Sequence, residues 1–382
     1  MSRPAPQAPE HSNLQSRLVH RLAATVLAIA CLGASALAAS PSETVQHDAA
    51  QQGVVTIKVF CDQGESIGDA LLNPAPELRI LVYGFCAESV EIRRDRVTLA
   101  GGDPATDGID APADDDLRAS ALRIREARRV RVENLTLRGA SFEGLRVLQS
   151  TDGIVLENVH LTGNGVRGGT VLDSIVTMKQ VVATGNGTIP NNEYGGYGGL
   201  LASGSAWLWC DDCSIHSNPE AAENVGVRAL RGSQVHLTAS HVEGRVGVRA
   251  HASEVAVLGG WLQGLYAVVA DGAAQIELGE LSFEGTLTAY EGSSMELFEA
   301  KQSDAFEDNW AFGGSTITLS APRADAEIPT ALLRPLWLSN FSRATVFGGA
   351  QAPSLQCSLG AEAVCAQGAV VGASTCSQCP RP

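Results

Sequence analysis

A short repeat constrains this chain more than any other feature. Arg129–Gly139 reads RVRVENLTLRG and Gly153–Gly163 reads GIVLENVHLTG. Val235–Gly244 (VHLTASHVEG), Val255–Gly264 (VAVLGGWLQG) and Ile276–Gly285 (IELGELSFEG) keep the same plan. Each has two apolar residues at i and i+2, a short polar break, then two more at alternating positions before a glycine. Period two within each half means β-strands, and the break means a tight bend between them. A third strand follows the glycine, as in Gly144–Leu148, Val225–Leu230, Val246–Ala250 and Ala267–Ala270. One equivalent position runs Val132, Leu156, Met178, Trp209, Leu237, Val257, Leu278, Leu297, at intervals of 19 to 31 residues. The excess in the longer repeats falls just after the glycine.

A unit of three strands and three turns every 20-odd residues cannot bury its inward side chains alone. Stacked at about 4.8 Å, such units satisfy the backbone of their neighbours and form continuous apolar columns. About eleven rungs between Val54 and Leu319 would make a rod on the order of 50 Å long. Leucine-rich repeats and propellers need other spacings. The Val132-Glu133-Asn134-Leu135 and Leu156-Glu157-Asn158-Val159 segments resemble the stacked-asparagine turn of pectin-lyase-like secreted proteins. The resemblance covers residues 54–319 and implies an all-β, single-domain, right-handed parallel β-helix. The predicted turn column continues through Gln180, Asp211 or Asp212, Ala239, Gly259 and Glu280.

Domain organisation follows. Residues 1–39 carry Arg3, Arg17 and Arg21 before an apolar run ending Ala36-Leu37-Ala38, the pattern of a secretory signal peptide. A lipoprotein reading through Cys31 stays open beside it. No other segment is long and apolar enough to span a bilayer. Residues 40–88 are expected to form an N-terminal cap with a short helix over 65–72, N-capped by Ser66. Residues 89–319 form the rungs, and 320–382 a C-terminal cap and Cys-rich tail.

Cleavage after Ala38 or Ala39 would take the formal charge from −15 to −17, because three Arg and one Glu leave. An acidic chain without a basic run is a poor ligand for nucleic acid, whose affinity comes largely from phosphate neutralisation. Cleavage also removes Cys31, leaving Cys61, Cys86, Cys210, Cys213, Cys357, Cys365, Cys376 and Cys379. An even set in an exported protein reads as disulfides, with Cys61–Cys86 the expected bond across the cap. The two C-x-x-C pairs offer a zinc alternative, but no histidines stand at ligand spacing. Together these features place the protein outside the cytoplasm: secreted, periplasmic or at the cell surface.

The long turns Gly102–Ala119, Gly163–Gly168, Gly185–Gly196 and Ser217–Asn224 all follow the second strand of their rung. They are expected to wall a groove along the third-strand face. Arg123, Arg146, Arg228 and Arg249 point outward there, suited to the carboxylates or sulfates of an acidic polysaccharide. Glu193, Tyr194 and Tyr197 in the glycine-rich turn, with His216, supply groups that sugar recognition uses. The plain alternative for each is a solvated surface. The acidic segment with Asp103, Asp107, Asp110 and Asp114-Asp115-Asp116 is a candidate for Ca²⁺, without an EF-hand spacing.

As to activity, the resemblance implies a choice. A lyase of this family uses calcium-binding aspartates with an Arg or Lys base, for which Arg228 or Arg249 is available without a matching motif. The Asn-Thr-Asp, His-Gly and Arg-x-Lys segments of β-helix polygalacturonases are absent, as is the Asp-Pro-His of uronan epimerases. A lyase is thus favoured over a glycoside hydrolase if the protein is an enzyme. The reading is a polysaccharide-binding β-helix protein; the alternative is a non-catalytic structural or adhesive surface protein.

Overall fold

The computed structural model describes residues 53–112, 119–188, 197–217, 224–305, 307–321, 326 and 328–379. The expected signal peptide lies outside them. The described residues are almost wholly β, with 29 strands, one α-helix (Ile67–Leu71) and a single 3-10 turn (Cys61–Gln63). Strand pairing is parallel throughout and runs from each coil of chain to the next, in three ladders.

The first ladder starts with Val55–Phe60, Leu78–Tyr83 and Val97–Ala100 and continues through the first half of each repeat. Its inward column reads Ile57, Ile80, Leu99, Val132, Leu156, Met178, Cys210, Leu237, Val257, Leu278, Leu297 and Leu319. From Ile80 onward these residues are at most 1% exposed. One expectation is corrected: Met178 pairs with Cys210, not Trp209. A one-residue slip reverses the face of a strand. Trp209 accordingly points outward and stacks on His236, centroids 5.8 Å apart.

The bend between first and second ladders is a column of left-handed residues: Asn134, Asn158, Gln180, Asp212, Ala239, Gly259 and Glu280, with φ between 49° and 73°. Non-glycine residues tolerate this region poorly, Asn and Asp best. In the early coils the side chains bond along the column, Asn158 Nδ2 donating to Asn134 Oδ1 (2.9 Å) and Gln180 Nε2 to Asp212 Oδ2 (3.2 Å). The later members, Ala239, Gly259 and Glu280, carry no side-chain amide and keep the same backbone conformation.

At the N-terminal end the helix buries Ile67 and Ala70 against the first coils. Ser66 caps it by accepting from Asp69 N, and the Glu88 carboxylate accepts from Ile67 N, Gly68 N and Ser66 Oγ. The Cys61–Cys86 disulfide ties this cap to the next coil. At the other end the ladders run past Leu319. Thr316–Leu319 pairs with Arg343–Val346, which pairs with Glu362–Cys365, and the third ladder ends at Val370–Ser374. Cys357–Cys376 and Cys365–Cys379 tie these last coils together. Cys210 bonds Cys213, so the eight cysteines among the described residues form four disulfides and none of these eight is free for zinc.

Candidate functional site

The third ladder carries the candidate surface. Its outward column reads Glu91, Arg123, Arg146, Thr170, Leu201, Arg228, Arg249, Val269, Thr288, Trp310 and Trp337. The four arginines singled out by sequence therefore share one column, as two pairs on adjacent coils with Thr170 and Leu201 between them. At the spacing of stacked strands, Arg146 and Arg228 lie about 14 Å apart along the axis. Beyond the second pair the side becomes aromatic: Tyr290, Phe312, Trp310 and Trp337 form a continuous stack at centroid spacings of 5.4–5.6 Å.

Behind the first arginine pair sits a buried ion cluster that sequence reasoning missed. Glu143 is 1% exposed and Arg167 7%. Arg167 Nη1 lies 3.5 Å from Glu143 Oε1, and Arg146 Nε 3.8 Å from Glu143 Oε2. The Thr170 hydroxyl donates to Glu143, while the Phe142 ring faces the guanidinium groups of Arg146 and Arg167. Burial pushes the Glu143 carboxyl above its ordinary pKa, against the pull of Arg167, Thr170, Arg146 and Arg123. Glu143 is thus an internal anchor for the arginines, not a group that meets a ligand. Both missed residues stand just before a glycine in aligned repeats, Glu143-Gly144 over Arg167-Gly168, and that pairing of opposite charges was the available signal.

The second pair is also engaged. Arg249 Nη2 is 2.9 Å from Asp271 Oδ2, and His251 Nδ1 bonds the other oxygen of the same carboxylate. Of the other sequence candidates, Glu193 and Tyr194 lie outside the described residues, as do 113–118, 189–196 and 218–223 of the long turns expected to wall the groove. Tyr197 opens the strand Tyr197–Ser203 of the third ladder, in register with Asn224. His216 is not with the arginines: it belongs to the second ladder, beside Ser214, His241 and Glu243.

The acidic segment has a structural role in its described part. Asp107 accepts from Gly84 N (3.0 Å), Gly102 N (2.7 Å) and Asp103 N (3.2 Å), and Asp110 pairs with Arg138 at 2.9 Å. Asp114-Asp115-Asp116 lie outside the described residues. Burial alone would raise the Asp107 pKa, but these backbone donors and Thr106 bring it below 3.8. A depressed folded-state pKa contributes stability that is present above the unfolded value and lost as pH falls through the folded one. We therefore expect Asp107→Asn to cost about 2 kcal/mol at pH 7. The difference from wild type should close below pH 3.8 in urea titrations at stepped pH. A gap that is constant with pH would contradict this account.

No family model and no curated protein matches this chain. Among solved structures it is similar to DFA-IIIase from Arthrobacter chlorophenolicus. In complex with GF2 that enzyme shares 9% identity over 78% of this chain and 83% of that one, at a TM-score of 0.48. A mutant in complex with DFA-III gives 12%, 82%, 86% and 0.47. The A-module of an Azotobacter vinelandii mannuronan C-5 epimerase gives 11% identity over 82% of this chain and 99% of that chain, at 0.34. At TM-scores under 0.5, function has to be argued from this chain's own residues.

Proposed function

We propose that this is an exported, right-handed parallel β-helix protein that binds an acidic extracellular polysaccharide along its third ladder. The single observation that supports this most is the alignment of Arg123, Arg146, Arg228 and Arg249 in one outward column on a chain of net charge −15. Guanidinium groups bind carboxylates and sulfates through paired donors, and a row of them suits a polymer better than a small anion. Four disulfides fit an oxidising compartment. Among the described residues no helix is long and apolar enough to cross a membrane. Right-handed winding follows the general chirality of parallel crossovers.

A second reading has an observation of its own. Arg167 and Arg249 are already neutralised by Glu143 and Asp271, as a rod that merely stabilises its coils would have them. The two readings separate on Arg228→Gln combined with Arg249→Gln. A binder should lose roughly tenfold in retention on polygalacturonate or alginate, more at low salt than at high, with neutral glucan as control. The melting temperature should fall only modestly, because Arg249 is the exposed partner of Asp271 (41% against 13%) and His251 still bonds that carboxylate in the variant. Unchanged retention would leave the structural rod as the reading. An ultraviolet assay for unsaturated uronates on the same panel tests for lyase activity.

A further inference from the structure

We propose that His216, His241 and Glu243 form a site for a divalent transition-metal ion of the zinc class on the second ladder, independent of the polysaccharide surface. The fold builds this group directly. Ser214–Ser217 and the second half of Gln234–Glu243 are adjacent parallel strands in register, Ser214 opposite His241 and His216 opposite Glu243. Ile215 and Val242 point into the core at full burial, so alternation turns the other four side chains outward as one block.

Within that block the three ligand-bearing side chains converge. One donor atom from each of His216, His241 and Glu243 lies within 4.8 Å of the others. His216 Nδ1 is 2.9 Å from Glu243 Oε2, and the two imidazoles meet edge to face at 4.9 Å between centroids. Two ligand atoms at about 2.0–2.1 Å from a tetrahedral zinc are about 3.3 Å apart. The first pair is therefore nearly in place, and His241 has to close by about 1.5 Å. Two imidazoles and one carboxylate make a donor set that zinc and its neighbours prefer over calcium or magnesium.

Two further features point to a cation. His241 Nε2 is buried, and among the described residues it has no hydrogen-bond partner. A buried ring nitrogen without a partner is costly, and a metal ion satisfies it. His216 Nε2 lies 2.7 Å from Ser214 Oγ, a contact that fixes the ring and leaves Nδ1 facing Glu243. Metal-bound histidines commonly have their second nitrogen held in this way. With three protein ligands, a fourth position is left for water or a ligand oxygen.

The test uses the full chain stripped with a chelator and then titrated with Zn²⁺ by calorimetry, and with Co²⁺ by visible absorption. One equivalent should bind, and the cobalt form should show the ligand-field bands of a nitrogen- and oxygen-ligated tetrahedral or five-coordinate ion. His241→Ala and Glu243→Gln should each weaken binding at least tenfold, and Ser214→Ala, which frees the His216 ring, about tenfold. Glu243→Gln preserves side-chain size, so it keeps the test decisive if a histidine variant folds poorly. Absence of stoichiometric binding at tens of micromolar would overturn the proposal, as would binding that these variants leave unchanged.

Discussion

Glu143→Ala is expected to destabilise the protein by about 3–5 kcal/mol, the usual cost of stripping one partner from a buried ion pair. Arg167 is 7% exposed. Its guanidinium has Glu143 Oε1 at 3.5 Å, and the Thr170 hydroxyl that it also approaches is itself bonded to Glu143. Removing the carboxylate leaves a desolvated cation with Arg146 as a neighbour of like sign. Replacing both partners, as in Glu143→Leu with Arg167→Met, should recover most of the loss, because such pairs roughly break even against apolar residues of similar volume. Urea unfolding of the two variants checks this. A loss below about 1 kcal/mol for Glu143→Ala would mean that water reaches Arg167 and the cluster is not sealed. Because the same anchor holds Arg146, Glu143→Ala should also lower retention on polygalacturonate even where the variant remains folded.

That cluster shows where sequence stops informing. Strand alternation made the first-ladder columns legible, because Val132, Leu156 and their equivalents are large, apolar and two residues apart. The left-handed column was legible as far as Asp212 because Asn and Asp favour that backbone, and Ala239 and Glu280 could be added only by counting. The four arginines fell into one column because each stands two residues after the glycine that opens its strand, or, for Arg123, at the equivalent place. Glu143 and Arg167 were not legible, because a charged residue beside a glycine reads as a solvated turn. Only the neighbouring coil, stacked on it, takes the water away. Trp209 was misplaced by one because its repeat is among the longest, and an aromatic beside a cysteine offers two plausible inward residues. The coils beyond Leu319 were hidden for a different reason. Their inward residues include Ala344 and Ala363, and their strands are as short as Leu336–Leu338. Small residues in short strands leave no visible period.

The glycine that opens each third strand carries the other large expected effect. Gly144, Gly168, Gly199, Gly226 and Gly247 stand at corresponding positions in successive coils. A Cβ at Gly144 would lie 2.9 Å from Gly168 O, one at Gly226 2.8 Å from Gly247 O, and one at Gly247 2.7 Å from Ala267 O. At Gly199 the distance is 1.9 Å to Gly226 O, with Ile215 Cγ2 at 2.4 Å. The obstacle there is backbone, which cannot swing aside as a long side chain can. Gly199→Ala should therefore cost about 3 kcal/mol or more, at or above the upper end of ordinary overpacking. Gly53→Ala, where nothing stands within 4 Å, should change stability by less than about 0.5 kcal/mol. Thermal and urea unfolding of the pair decide the matter, and equal effects would mean that the coils can separate at this corner at little cost. The column also explains the site: Glu143 and Arg167 immediately precede their glycines. Close stacking of the glycine corners brings these two charges together out of water, and that is how they come to hold the arginines in front of them.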